Sequence, residues 1–236
     1  PIYSSSPFAC CLKSKLKSQT LLQSKQQHDV LQQLDKEEVL INSTLKQSIP
    51  TLLKQPAPPK PTLVLDLDET LIHSFSSFSA KAETVLTIPV TSNTAHLQIS
   101  NFESDKIQIW LCVRPGAREL IRELAQLFEI VIWTASPGEY AEVIVEYLGI
   151  GAFVEAVLCK EHCDQLGIKD LSKLGRDLNK VIIVDDKPGS FKLQPNCGIQ
   201  VKVFEGLDDE VLMKLTKYLA RASQQPDFST ILHQWL

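Results

Sequence analysis

The stretch Thr62-Leu63-Val64-Leu65-Asp66-Leu67-Asp68-Glu69-Thr70 places a short apolar run directly ahead of two carboxylates spaced one residue apart. Such a run, bounded by charge on one side and by proline on the other, reads as a buried strand too short for a helix. The pattern recurs twice downstream. Glu129 to Trp133 is an apolar run followed by Thr134, Ala135 and Ser136, and Val181 to Val184 is one that ends on Asp185 and Asp186. Between them, residues 115–127 carry Leu120, Ile121, Leu124 and Leu127 at helical spacing, and Pro137 suits the first turn of a helix running to about Leu148. A further strand is expected over 153–158, and an amphipathic helix over Leu207 to Ala222, opened by acidic Asp208 and Asp209. Short strands at 84–90, 95–100 and 107–113 read as a small meander inserted after the first strand.

Strands alternating with helices predict an α/β fold, a doubly wound and mostly parallel sheet covered on both faces. In such sheets the ligand lies beyond the carboxyl ends of the strands. The chemistry-bearing residues should therefore follow the strands, and Asp66, Asp68, Thr134, Asp185 and Asp186 all do.

Ahead of this region the texture differs. Residues 1 to about 27 are rich in Ser, Lys and Gln and too poor in large apolar side chains to offset the cost of ordering. Val30, Leu31, Leu34, Leu40 and Ile41 partly match helical spacing, and Gln55 to Pro61 form a proline-rich linker. The expected organisation is a flexible tail with a possible helix over 1–56 and one catalytic domain over 57–236. Starting on Pro1 points to a processed or incomplete N-terminus.

Hydrophobic residues at 44% and charged residues at 22% are ordinary for a globular protein, and a net charge of -4 gives no footprint for direct nucleic-acid binding. No apolar run approaches the ~20 residues of a membrane-spanning helix. The six cysteines are scattered rather than framed for disulfides, so the expected setting is intracellular, nuclear or cytoplasmic. Cys159, His162 and Cys163 lie close together, yet zinc wants four ligands and no second pair sits at suitable spacing. Cys10 and Cys11, ahead of Lys13, Lys15 and Lys17, allow a weak reading as a lipidated basic anchor.

Two carboxylates two residues apart beyond a buried strand can converge on one small site. Asp66 can attack phosphorus to give an aspartyl-phosphate, while Asp68 protonates the leaving oxygen and then activates water. Asp185 adds oxygen ligation of the hard kind that suits Mg²⁺. Thr134 can donate a hydroxyl hydrogen bond to a phosphoryl oxygen, and Lys169 can place a fixed positive charge where negative charge builds up. Singly, each has a plainer reading: Asp-x-Asp is commonly a turn or cap, and a lone lysine is usually solvated. Their conjunction at strand ends is what makes the pattern specific.

The run Leu65 to Ser74 resembles the signature of the small C-terminal-domain phosphatases, the NLI-interacting-factor-like branch of the haloacid dehalogenase superfamily. The resemblance continues through Arg114-Pro115-Gly116 and Trp133-Thr134-Ala135-Ser136. It is strongest over Lys169 to Leu178 and ends with Val184-Asp185-Asp186-Lys187-Pro188, so that it covers about residues 60 to 236. It implies a haloacid-dehalogenase-like sheet with a short β insertion and no large cap domain. It also implies dephosphorylation of serine or threonine in a protein or peptide, notably in the tail of RNA polymerase II. On this resemblance Asp66 is the nucleophile and Asp68 the general acid/base. Mg²⁺ is held by Asp66, Asp185 and the backbone carbonyl of Asp68, and Thr134 and Lys169 bind phosphate. Asp186 supports the metal or its waters, and Thr70 steadies the loop. His73 and Trp133 are expected to be packed rather than catalytic. The chain departs from the family pattern at Asp186, at Lys160 and in a shorter Leu158–Ile168 segment; Phe75, Phe78 and Tyr140 are its aromatic candidates for substrate contact. Two other readings stand beside this one: a catalytically silent binding module of the same fold, and a small-metabolite phosphatase. Loss of an essential aspartate would mark the first and a large cap the second. Neither mark is present.

Overall fold

The structure is a computed structural model that describes residues 51–53, 60–94, 106–228 and 232–235. The expected tail up to residue 50, the strand expected over 95–100 and the Cys10–Cys11 pair lie outside the described residues.

The central sheet has five parallel strands in the order β6-β5-β1-β7-β8. They are β1 (Thr62–Leu65), β5 (Glu129–Trp133), β6 (Ala156–Leu158), β7 (Val181–Asp185) and β8 (Gly198–Gln200). The apolar runs at β1, β5 and β7 are continuous because these strands lie inside the sheet and are buried on both faces. Their side chains nonetheless divide with period two. Leu63, Leu65, Ile130, Ile132, Ile182 and Val184 enter one core, while Val64, Val131, Trp133, Val181 and Ile183 enter the other.

Three α-helices bury their apolar stripes in the first core: α1 (Ala117–Leu124), α2 (Gly138–Leu148) and α3 (Val211–Ala222). The second core is closed by short 3₁₀ segments, among them Leu171–Leu174 and Pro188–Phe191. Right-handed crossovers explain the division. The chain leaves β1 in one direction to reach β5 and β6, and returns to β7 and β8 on the other side, so the outward and return connections fall on opposite faces. Leu53, ahead of the proline-rich stretch, is also buried in the second core, and the Leu52 N–H donates to the Lys173 carbonyl at 2.9 Å.

A three-stranded antiparallel sheet, β2-β4-β3, is inserted between β1 and α1. It comprises β2 (Ile72–Phe75), β3 (Thr84–Pro89) and β4 (Lys106–Val113). β3 and β4 match two expected strands, whereas β2 carries only one fully buried residue in four and gives too weak an alternation to read. β8 is shorter still; its Gly198 lies under Phe191, whose ring would be 2.0 Å from an added Cβ. The helix expected from Leu207 starts at Val211. Asp209 is drawn instead into a half-buried pair with Arg114, while its Oδ1 still accepts the Val211 N–H at 3.0 Å.

Arg114 joins the insertion to the parallel domain. Its guanidinium is fully buried and forms a two-pronged pair with Asp209, with Nη2 to Oδ2 at 2.8 Å and Nε to the same oxygen at 3.0 Å. It also donates to the Thr70 carbonyl at 3.0 Å and the Lys202 carbonyl at 2.8 Å. The loop after β1 is thereby tied to the chain beyond β8 and to the start of α3. Arg114→Leu leaves Asp209 and two carbonyls without their donor and should lower the unfolding free energy by about 3 kcal/mol in urea titration. A loss below about 0.5 kcal/mol, the scale of a neutral surface change, would contradict this role.

Candidate active site

The site lies where the strand order reverses, at the carboxyl ends of β1, β5 and β7. Asp66 directly follows β1 and its N–H donates to the Val184 carbonyl at 2.9 Å, so the first carboxylate is held against the neighbouring strand. Asp185 is the last residue of β7, and its Oδ1 accepts the Lys187 N–H at 2.8 Å. Asp66, Asp185 and Asp186 are buried and can place one oxygen each within 4.8 Å of the others.

Lys169 enters this group from the return connection. Its Nζ lies 2.6 Å from Asp66 Oδ1 and 2.7 Å from Asp185 Oδ2, and the residue is 1% exposed. Its N–H donates to Ser190, while the next residue, Asp170, caps the 3₁₀ turn by accepting the Ser172 N–H and receives the Gln194 side-chain amide. Burial alone would lower the Lys169 pKa; Asp66 and Asp185 outweigh it and raise the pKa, so the ammonium stays charged. Burial pushes the Asp66 carboxyl up to about 7, with Asp185 and Asp68 adding to the effect and Lys169 opposing it.

Three clustered carboxylates face the buried Lys169 ammonium, with the exposed Lys187 Nζ 3.9 Å from Asp186 Oδ2, and all the donor atoms are hard oxygens. That donor set fits a divalent cation of the Mg²⁺ class. Asp68 stands outside the cluster. Its Oδ2 accepts hydroxyl hydrogen bonds from Ser136 at 2.8 Å and Thr134 at 3.1 Å, and its Oδ1 accepts one from Tyr140 at 2.5 Å. The Asp68 carboxyl is thus engaged by three hydroxyls rather than by the carboxylate cluster. The Thr134 hydroxyl oxygen accepts the Ser136 N–H at 3.0 Å, which directs its own proton to Asp68.

The loop between the two chemistries is strained and tied down. Glu69 has φ of 65°, the one positive φ among described non-glycine residues, a conformation that persists only when its surroundings enforce it. Its N–H donates to Ile72, its carbonyl accepts from Phe204, and its carboxylate pairs with His73 Nδ1. His73 is thus a loop-stabilising residue stacked edge-on against Phe75, and Trp133 is fully buried core, as expected for both. Thr70 is buried; its hydroxyl accepts the Asp186 N–H at 3.1 Å and donates to Asp186 Oδ1 at 3.3 Å. All seven sequence-derived residues, Asp66, Asp68, Thr70, Thr134, Lys169, Asp185 and Asp186, lie at the strand ends and in the loops that cross them. Sequence reasoning missed Ser136, Ser74 and Tyr140 as partners around Asp68. Tyr140, read as an aromatic for substrate contact, is 3% exposed. Its signal was the recurrence of hydroxyl-bearing residues after β5. Cys159, His162 and Cys163 form no metal group, and His162 Nδ1 instead accepts the Cys159 N–H at 3.0 Å.

Residues 61–229 match the model of the NLI interacting factor-like phosphatases. The chain belongs to this family. A human CTD small phosphatase-like protein is 33% identical over 179 residues, 74% of this chain and 60% of the relative. A probable C-terminal domain small phosphatase of Dictyostelium discoideum is 35% identical over 178 residues, 73% of this chain and 54% of the relative. The chain therefore spans between half and two thirds of the length of these relatives. Among solved structures, fission yeast RNA polymerase II CTD phosphatase Fcp1 bound to beryllium fluoride shares the fold. Its TM-score is 0.50 at 18% identity, over 85% of this chain and 57% of that one. The α/β fold with a mostly parallel sheet is thus the one the alternating pattern predicts.

The raised Asp66 pKa has a signed consequence. A carboxyl with a higher pKa in the folded state binds more protons there than when unfolded, so without metal its contribution to stability falls as pH rises from about 4 to about 7. In EDTA, Asp66→Asn should melt above wild type at pH 8, with the gap closing toward pH 4. Equal melting temperatures at pH 8 would contradict the electrostatic description of the site.

Proposed function

We propose that this domain is a Mg²⁺-dependent phosphatase that removes phosphate from serine or threonine in an intracellular protein through an aspartyl-phosphate on Asp66. The observation that carries the reading is the pairing of a buried carboxylate–ammonium cluster with a separately held carboxyl, Asp68, across one crevice. The two sets divide the work of group transfer. Asp66 supplies an oxygen to bond phosphorus, and Lys169 holds a positive charge beside it. Asp68 gives a proton to the serine oxygen as its bond to phosphorus breaks. It then takes a proton from the water that bonds phosphorus and releases Asp66 with inorganic phosphate. The Thr134 hydroxyl can exchange its Asp68 partner for a phosphoryl oxygen. Asp66, Asp185 and the Asp68 carbonyl would hold the metal, with Asp186 close enough to take part or to orient its waters. Bound Mg²⁺ would supply the charge that keeps Asp66 ionised and offsets its repulsion from the phosphate dianion.

A protein substrate is favoured by the open surroundings. A groove of about 620 Å³ beside the Thr134–Pro137 turn is lined by Ser92, Asn93, Lys160, Glu161 and Gln165. Among the described residues the insertion is a small three-stranded sheet. Because the Fcp1 neighbour is an RNA polymerase II CTD phosphatase, that CTD is a substrate to be tried first.

Hydrolysis of para-nitrophenyl phosphate and of phosphoserine peptides should require Mg²⁺, stop in EDTA and vanish in Asp66→Asn. Lys169→Ala should lower kcat by about 10²-fold or more, the usual effect of losing a preorganised charge at the reacting group. Undiminished turnover by Asp66→Asn, or a folded wild type inactive on both substrates, would falsify the reading.

A further inference from the structure

We propose that Tyr140 is a positioning residue for the proton-transfer step, pinning one oxygen of Asp68 so that the other exchanges the proton; this rests on the phosphatase reading above. Tyr140 lies early in α2, and its ring is part of the helix-side core. A buried ring has little rotational freedom, so its hydroxyl is a fixed point rather than an adaptable surface donor. That hydroxyl is 2.5 Å from Asp68 Oδ1 and 3.0 Å from Ser74 Oγ.

A phenol carries one proton. With it committed to the carboxyl, Ser74 on β2 donates to the phenol oxygen, giving a directed chain from Ser74 through Tyr140 to Asp68. Burial and the neighbouring Asp68 hold the Tyr140 pKa well above its ordinary value, so the hydroxyl remains a donor throughout the working pH range. Oδ2 faces the other way. It meets Ser136 and Thr134, the hydroxyl expected to contact phosphate, and so lies on the side where a leaving oxygen would arrive.

Transfer from a phosphoserine needs this geometry. Asp66 oxygen bonds phosphorus, the bond from phosphorus to the serine oxygen breaks, and that oxygen receives both the bonding electron pair and the proton from Asp68 Oδ2. An aryl ester needs it far less, because 4-nitrophenolate departs without a proton. Damage to Asp68 positioning therefore falls unequally on the two substrates, whereas a general loosening of the fold falls on both alike.

The experiment compares kcat/KM for a phosphoserine peptide and for para-nitrophenyl phosphate with Mg²⁺, in wild type, Tyr140→Phe, Ser74→Ala and Asp66→Asn. Tyr140→Phe keeps the ring in the core, and should lower the peptide value about tenfold more than the aryl value, a fraction of the ~10²–10⁴-fold that general acid catalysis contributes in full. Ser74→Ala, which alters no core side chain, should move the ratio in the same direction by a smaller factor. Equal losses on both substrates, or no change in the ratio for either variant, overturn the role of Tyr140 while leaving an Asp66-dependent phosphatase in place. Full activity of Asp66→Asn removes the underlying mechanism, and this proposal with it.

Discussion

Everything around the strand ends answers one electrostatic constraint: Asp66, Asp185 and Asp186 are held together in a buried crevice and must be kept from repelling each other apart. Lys169 meets part of that need from within the chain, at 2.6 and 2.7 Å from two of the carboxylates. The all-oxygen donor set suits a divalent cation for the rest. Buried charges stabilise a fold poorly, since their desolvation offsets most of the attraction between them. The arrangement is therefore better understood as a cost borne for chemistry, and its supports are found around it. Arg114 anchors the Thr70 carbonyl, Glu69 is forced to positive φ by three bonds, and the Thr70 hydroxyl fixes Asp186. The Arg114, Phe204 and Asp186 contacts among these supports span long separations in sequence, which makes the site a product of the whole domain.

The parts of this design visible in the sequence are those written into continuous local runs. β1, β5 and β7 could be read because interior strands of a parallel sheet are apolar on both faces, and each ends where the chemistry begins. The helices α1 and α2 were legible from apolar spacing and, for α2, from Pro137. What could not be read depended on partners far away in the chain. β2 exists because β4 offers it a register, from Ile72 opposite Val113 to Phe75 opposite Trp110. α3 begins later than its acidic start implies because Asp209 is paired with Arg114, 95 residues earlier. Tyr140 looks like an ordinary aromatic on an amphipathic helix, and only the fold brings its hydroxyl to Asp68.

The same distinction separates the catalytic reading from the identity of the substrate. Catalysis needs a few atoms in fixed relation, and motif spacing at strand ends carries much of that relation. Recognition of a protein chain, on the reading proposed here, would depend on the groove beside Pro137 and Lys160 and on the insertion.

The central claim is that Asp66 itself carries the phosphoryl group during turnover. Its most direct test is mass spectrometry of the protein mixed with a phosphoserine peptide and Mg²⁺, quenched in cold acid within a single turnover and digested. The account predicts one added phosphoryl group on the peptide that contains Asp66, formed and lost on the timescale of turnover. A phosphoryl group on a different residue, with turnover proceeding through it, would contradict the account.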